Sequence, residues 1–243
     1  MRKLLSYMRA AVDDYDMISE GDNIAVGVSG GKDSVAMLVA LNELKKFYDK
    51  PFTIKAITLD MGISADFSPI QQLCDSMKVE YIVKPTDIGT IIFDIRKESN
   101  PCSLCARMRR GALHDAAKQS GCNKVALGHN CDDVVETFFL NLIHEGRIGC
   151  FRPLTYLDRK QLYVVRPLIY APERYIKSFV KRYDMCIVKN PCPVDGHTAR
   201  EDIKKLIAEM DIRYNGLKRR AFGAIKRSGI DGWGNCRIKD EEL

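Results

Sequence analysis

Apolar residues recur at helical intervals from residue 4 to 18, with Leu4, Leu5, Met8, Ala11, Val12 and Tyr15 on one side, which predicts a helix ending before Gly21. The pattern then changes. "NIAVGV" (23–28) is short and alternating, which predicts a strand, and residues 33–46 return to helical spacing, closing with Lys45 and Lys46 at the negative end of the dipole. The alternation continues with strand "FTIKAITL" (52–59), helix 66–77, strand "EYIVK" (80–84), helix 103–119, strand "KVALG" (124–128) and helix 131–143. Strands separated by helices of this length predict right-handed crossovers and an α/β fold, a doubly wound, mainly parallel sheet covered on both faces. "LTYLDRKQLYVVRPL" (154–168) sets two apolar runs about a polar centre and predicts a hairpin or an edge strand. A helix over 172–183, an irregular Pro- and Cys-bearing loop over 189–197 and a closing basic helix follow. The organisation expected is an α/β domain over 1–185 and a cysteine loop with a basic helical extension over 186–243.

Between the first strand and the helix after it stands "SGGKDS", residues 29–34. Gly30 and Gly31 lack Cβ atoms, so their N–H groups can approach an anion, and the helix that follows points its positive end at the same spot. Ser29 and Ser34 add hydroxyls, Lys32 adds charge, and Asp33 can cap the helix or position a magnesium ion. Two better-known phosphate loops are excluded by position. The Walker loop needs glycine where this chain has Val26 and Ser or Thr where it has Asp33; the dinucleotide fingerprint needs glycine where it has Ser29. At this point the chain resembles the PP-loop ATP pyrophosphatases, which cleave ATP between the α and β phosphates to activate a carbonyl oxygen as its adenylate. Amide-forming and sulfur-inserting members share the loop, so other residues must choose the substrate.

Composition narrows the choice. A 243-residue chain that is 46% hydrophobic can bury a core, and nothing in it approaches the ~18 uninterrupted apolar residues of a membrane span. The first residues acquire acids before a signal-peptide core could form, so a cytoplasmic protein is expected. The net charge of +6 is mild, yet residues 213–227 hold Arg213, Lys218, Arg219, Arg220, Lys226 and Arg227 with no acid, beside Tyr214 and Phe222. That run is either a solvated helix face or a contact for nucleic-acid phosphates.

Nine cysteines with no export signal read as buried thiols or metal ligands rather than disulfides. Cys102 and Cys105 form a C-x-x-C at a helix start, with Arg107, Arg109 and Arg110 just beyond; positive charge and a helix N-terminus favour the thiolate that binds metal. A second such pair would indicate structural zinc, and the chain has none. Cys192 instead stands between two prolines, and three thiolates from two segments suit an iron–sulfur cluster with one iron left open. Cys74, Cys122, Cys131, Cys150, Cys186 and Cys236 read as core or surface thiols. In "LGHNCDDVVETFFLN", Gly128 ends a strand where open sheets bind ligands, so His129, Asn130, Asp132 and Asp133 are expected to face a nucleotide; capping of the next helix by Asn130 is the alternative. His114, His144 and His197 show no ligand spacing.

Together "MISEGDNIAVGVSGGKDS", "CSLCARMRRGAL", "KVALGHNCDDVVETFFLN", "VVRPLIYAPE" and "NPCP" resemble the tRNA 2-thiocytidine synthase group from about residue 15 to 200. The resemblance implies ATP, Mg2+ and a [4Fe-4S] cluster on Cys102, Cys105 and Cys192, with 2-thiocytidine in an anticodon loop as product. It implies nucleotide binding by Ser29, Gly30, Gly31, Lys32, Asp33, Ser34 and Gly128, and charge stabilisation or proton transfer by Asp33, Arg109, Arg110, Asp132 and Asp133. The partners implied are tRNA, a sulfur donor (a cysteine desulfurase or inorganic sulfide) and a second copy in a homodimer, with no membrane. Where many members carry C-x-x-C-G-S-Q, this chain reads Cys192-Pro-Val-Asp195, so Asp195 and an external sulfide both stay open as the occupant of the fourth iron. Uridine 2-thiolation, a nucleotide-binding iron–sulfur regulator and a lysidine-type ligase are the alternatives, and the last would not need three cysteines.

Overall fold

The structure, a computed structural model, describes residues 1–63, 65–96, 101–188 and 199–234. Six strands form one sheet: β1 (Asp22–Gly27), β2 (Phe52–Asp60), β3 (Glu80–Pro85), β4 (Lys124–Ala126), β5 (Leu154–Leu157) and β6 (Leu162–Val165), in the order β3-β2-β1-β4-β6-β5. Every neighbouring pair is parallel except β5 with β6, an antiparallel hairpin whose turn places Gln161 at φ 46°. The expected doubly wound, mainly parallel sheet is the one observed.

Alternation along the central strands assigns the two faces. Ile24 and Val26 join the larger core with α1 (Arg2–Asp14), α2 (Lys32–Leu44), α3 (Ser68–Met77) and α7 (Glu173–Arg182), whereas Ala25 and Val125 join a smaller core under the long helix of residues 101–119. α2 is buried over ten of its thirteen residues, which explains why its apolar pattern runs all round. A short turn α4 (Ile88–Thr90) passes into a π-helical turn over Ile91–Arg96, which periodicity did not reveal, and α5 (Pro101–Gln119) follows.

Two boundaries differ from expectation. α1 ends at Asp14 because Asp16 takes φ 48° and the Met17 N–H reaches back to the Val12 carbonyl, so Met17 and Ile18 are buried from a turn rather than a helix. The basic C-terminal segment is two helices, α8 (Ala199–Arg213) and α9 (Leu217–Arg227), divided at Gly216 with φ 82°. α8 packs Ile203 and Ile207 on Val135 of α6 (Cys131–His144), and α9 and the turn after it send Ile225 and Trp233 into the larger core. The loop expected over 189–197 lies outside the described residues.

Candidate active site

From β1 the chain winds outward to β2 and β3, then returns to lay β4 on the other side of β1. The carboxyl ends of β1 and β4 are therefore the switch point where open α/β sheets bind ligands. Residues 28–34 and 127–133 leave from these two ends. Val28 is held by the sheet: its N–H donates to the Ile57 carbonyl (2.8 Å) and its carbonyl accepts from Thr58 Oγ1 (2.7 Å). Gly30 then turns at φ 82°, and a Cβ there would lie 2.7 Å from Val188 Cβ, so only glycine fits. Ser34 Oγ donates to the Gly31 carbonyl (2.9 Å) and accepts from the Ser29 N–H (3.2 Å), which closes the loop on itself.

The N-cap of α2 is Gly31 and no side chain caps it, so the N–H groups of its first turn stay available to an anion. The cap expected from Asp33 is absent because its carboxylate is engaged elsewhere. Oδ1 accepts from Asn130 Nδ2 (3.1 Å) and Oδ2 from Lys32 Nζ (2.7 Å). Lys32 also pairs with Glu173 (3.0 Å), at the first residue of α7. Burial alone would lower the Lys32 proton affinity, but its bonds to Asp33 and Glu173 outweigh this and raise it. Burial likewise would raise the Glu173 carboxyl; bonds from Lys177 and Lys32, with the charge of Lys204, hold it down at about 2. The loop lysine is therefore charged and held between two carboxylates.

Across the switch point, a Cβ on Gly128 would stand 3.1 Å from the backbone of Asp33, so the two loops touch. Asn130 caps α6 in a reciprocal box with Asp133. Burial foremost raises the Asp133 carboxyl, and burial with the nearby charge of Asp133 pushes Glu136 up to about 7. Arg200 of α8 reaches both, at 3.8 and 3.7 Å. Asp132 turns the other way: its oxygens take the Glu173 N–H (2.7 Å) and Lys218 Nζ (3.2 Å), so it fixes α7 and α9. His129 packs on Phe151 with its Nδ1 buried; burial first, then Arg166, lowers it to about 3, so it is a neutral ring. Glu173, Glu136, Arg166, Arg200 and Val188 were missed by sequence reasoning. The only signal was Pro172-Glu173 opening a helix, a common pair of start residues.

Cys102 and Cys105 occupy the start of α5, the first exposed and the second half-buried, and neither is in a disulfide. By contrast burial pushes Cys74 and Cys150 up to about 11 and Cys131 to about 12, and raises Cys122, so these are protonated packing thiols. Arg109 and Arg110 are exposed farther along α5. That helix lies against the end of β1, where a Cβ on Gly27 would meet Leu113 at 2.9 Å. Cys192 and Asp195 lie outside the described residues, and among those described no three His, Cys, Asp or Glu side chains are grouped to hold a metal. Val188, four positions before Cys192, donates its N–H to the Gly30 carbonyl (3.1 Å). The helix that carries Cys102 and Cys105 thus passes the end of β1, and accessible thiols on a helix N-terminus fit an anionic-ligand cluster.

A family model described as a PP-loop domain matches residues 3–210. A tRNA-cytidine(32) 2-sulfurtransferase of Dechloromonas aromatica is 35% identical over 93% of this chain and 81% of its own length. The chain belongs to the PP-loop family and groups with these sulfurtransferases. A second such sulfurtransferase, from Geobacter metallireducens, is 36% identical over 92% of this chain and 89% of its own. Among solved structures, the U34-tRNA thiolase NcsA of Methanococcus maripaludis, with its [4Fe-4S] cluster, superposes at TM-score 0.75 and 24% identity over 92% of this chain and 77% of that one. The NH3-dependent NAD synthetase of Campylobacter jejuni shares the fold at TM-score 0.51 and 16% identity, covering 94% and 95%. The PP-loop fold thus spans the described elements from α1 to α8.

Proposed function

We propose that this protein is an ATP-dependent tRNA sulfurtransferase that replaces the C2 oxygen of a cytidine in the anticodon loop by sulfur. The observation that carries the reading is the uncapped N-terminus of α2 at a switch point whose β1 end is also packed by the helix that bears Cys102 and Cys105. The first-turn N–H groups of α2 and the charge of Lys32 take the ATP phosphates. Asp33, oriented by Asn130, offers one carboxylate to a magnesium ion, which needs few protein ligands when phosphates supply the rest. The C2 oxygen then attacks the α phosphorus; the new O–P bond forms as the bond to pyrophosphate breaks.

A sulfur nucleophile next attacks C2, the C–O bond breaks and AMP leaves. Asp133, whose affinity for a proton is raised by burial, receives the proton that sulfur loses. Arg109 and Arg110 stabilise the negative charge that builds on the departing group. Cys102 and Cys105, with Cys192, would hold the [4Fe-4S] cluster, which when bound supplies an iron with an open coordination position for sulfur. The reading includes a cysteine desulfurase or inorganic sulfide as sulfur donor, a homodimer, and a cytoplasmic location where tRNA is modified. No helix among the described residues is long and apolar enough to cross a membrane. Mass spectrometry of tRNA nucleosides from cells with and without the gene is the test. Loss of 2-thiocytidine is expected; loss of a 2-thiouridine with 2-thiocytidine intact would assign the base to uridine instead.

A further inference from the structure

α1 and α7 pack side by side on the larger core, and together they carry charge that the chemistry above leaves unused. Their basic residues outnumber their acids, and every acid is already engaged. Asp13 pairs with Arg9 and accepts the Tyr48 hydroxyl, Asp14 takes Lys226 and the Tyr170 hydroxyl, and Glu173 takes Lys32 and Lys177. Arg2, Lys3, Arg174, Lys181 and Arg182 remain, all exposed and none with a carboxylate partner among the described residues.

Two of these cations meet across the helix pair. Lys3 Nζ lies 5.4 Å from the Tyr175 ring centroid and the Arg174 guanidinium lies 5.1 Å from it. Tyr7, one turn after Lys3, packs its own ring on Tyr175 at 5.4 Å. The charge of Lys3, then a hydrogen bond from Arg174, lowers the Tyr175 hydroxyl below its ordinary value. Farther along α7, Arg174, Ser178, Lys181 and Arg182 follow one another on an exposed stripe, roughly 12 Å long at the helical rise. Like charges held together with no acid among them attract a polyanion.

The stripe begins beside the reaction centre. Glu173, the residue before Arg174, pairs with Lys32 at 3.0 Å, and its N–H shares the Asp132 carboxylate with Lys218 of α9. A partner lying on this face therefore extends to the glycine loop. A helix that lies on a membrane presents large apolar side chains, and among the described residues no large hydrophobic side chain of α1 or α7 is exposed. Cations interleaved with aromatic rings suit the phosphates and sugars of a nucleic-acid strand instead.

We propose that the joined outer faces of α1 and α7, with Lys3 and Arg174 at their meeting point, bind the phosphate backbone of the RNA whose base reaches the glycine loop. That this RNA is tRNA rests on the thiolation reading, whereas the face itself does not.

The test compares wild type with two neutralised pairs on the face, Lys3→Gln with Arg174→Gln and Lys181→Gln with Arg182→Gln. A third pair, Lys118→Gln with Arg159→Gln, removes the same charge from exposed positions at the opposite, amino edge of the sheet. In filter binding of a tRNA transcript across a salt series, each face pair weakens binding about tenfold or more and lowers the slope of log affinity against log salt by about 0.7 to 0.9 per phosphate released. The amino-edge pair keeps the wild-type slope. The urea midpoint and the affinity for an ATP analogue stay close to those of wild type in all three, since none of the face charges bonds a carboxylate. A wild-type slope in both face pairs overturns the proposal, as does an equal fall in the amino-edge pair, which would assign the effect to net charge alone. Wild type that binds no transcript overturns it as well. Sedimentation with phosphatidylserine vesicles, lost in the face pairs while the RNA slope is unchanged, would assign the face to a membrane surface. Nucleosides that lack 2-thiocytidine, with the slope still lowered by the face pairs, would sink the thiolation reading and leave the RNA face standing.

Discussion

Asn130 Nδ2 donates to Asp33 Oδ1 across 3.1 Å, and this bond joins the cap of α6 to the first turn of α2. One side chain therefore serves two helices. Its own oxygen accepts the N–H groups of Asp132 and Asp133, while its amide sets the carboxylate nearest the uncapped end of α2. Asn130→Asp should keep the cap and reverse the effect on Asp33, placing two carboxylates where one was oriented. The expected result is near-normal stability in urea with at least tenfold weaker binding of an ATP analogue by titration calorimetry, whereas Asn130→Ala should lose both, with about 1 kcal/mol of stability. Equal analogue affinity in wild type and Asn130→Asp would show that Asp33 needs no orientation.

Gly30 and Gly31 should respond differently to alanine. At Gly30 the positive φ and the 2.7 Å approach to Val188 leave no room, so Gly30→Ala forces the loop and the Val188 segment apart. At Gly31 the nearest atom would be Ser29 Oγ at 3.5 Å and φ is −73°, which an alanine adopts. Thermal unfolding should show a loss of about 1 kcal/mol or more for Gly30→Ala, within the range of strained backbone, and little change for Gly31→Ala.

The buried acids predict a pH dependence with two opposite limbs. Glu136 is raised to about 7 by burial and by Asp133, so the folded chain holds a proton that the unfolded chain releases near 4.5. Its contribution is fully present below the unfolded value and is lost as pH rises from about 4.5 through 7. Glu173, held down at about 2, runs the other way: its stabilisation is present above the unfolded value near 4.5 and is lost as pH falls toward 2. Urea denaturation of Glu136→Gln should therefore show greater stability than wild type at about pH 8 and a flatter profile between about 5 and 7. An unchanged profile would mean that Arg200 already compensates the buried charge.

The strands were legible because interior parallel strands are apolar on both faces, as Ile24 to Val28 are, and the loop because a strand running into two glycines and a helix has few other uses. The division of labour between Asp132 and Asp133 was not legible. Adjacent residues on a helix point about 100° apart, so one carboxylate turns back to the Asn130 N–H and the other faces α7, and nothing in "DD" says which. Glu173 pairs with Lys32 only because α7 packs beside α2, a tertiary contact that local pattern cannot carry. The break at Gly216 was visible as a residue, but its φ of 82° is dictated by how α8 and α9 both reach α6.

Cluster content should divide the cysteines along the line drawn by burial. After anaerobic reconstitution, wild type should carry one [4Fe-4S] cluster per chain, and Cys102→Ala, Cys105→Ala and Cys192→Ala should each lose the visible absorbance and the bound iron. Cys74→Ala should retain both, since Cys74 is fully buried on the inner face of α3 and held as a thiol. Asp33→Ala should also retain the cluster while losing ATP-dependent thiolation, because phosphate binding and cluster binding use different side chains. Zinc as the only metal in the wild-type chain would overturn the cluster assignment.

The basic helix α9 is neither a uniform RNA face nor a merely solvated one, and its charges should separate by experiment. Lys226 sits 4.0 Å from the Tyr170 ring centroid and pairs with Asp14 at 3.0 Å, while Tyr170 donates its hydroxyl to the same carboxylate at 2.8 Å. Lys218 pairs with Asp132, and Arg220 donates to the carbonyls of Tyr214 and Asn215 at the end of α8. These three tie the helix to the core and to its neighbour. Arg219 and Arg227 are exposed and have no acid partner among the described residues. Arg219→Glu with Arg227→Glu should therefore leave the urea midpoint unchanged and weaken tRNA binding, lowering the salt slope by about 0.7 to 0.9 for each RNA phosphate that the helix no longer neutralises. Lys226→Ala should do the reverse, costing about 1 kcal/mol or more because Asp14 and Tyr170 lose the charge between them, with the salt slope kept. An unchanged slope in the double reversal would place the RNA on another face.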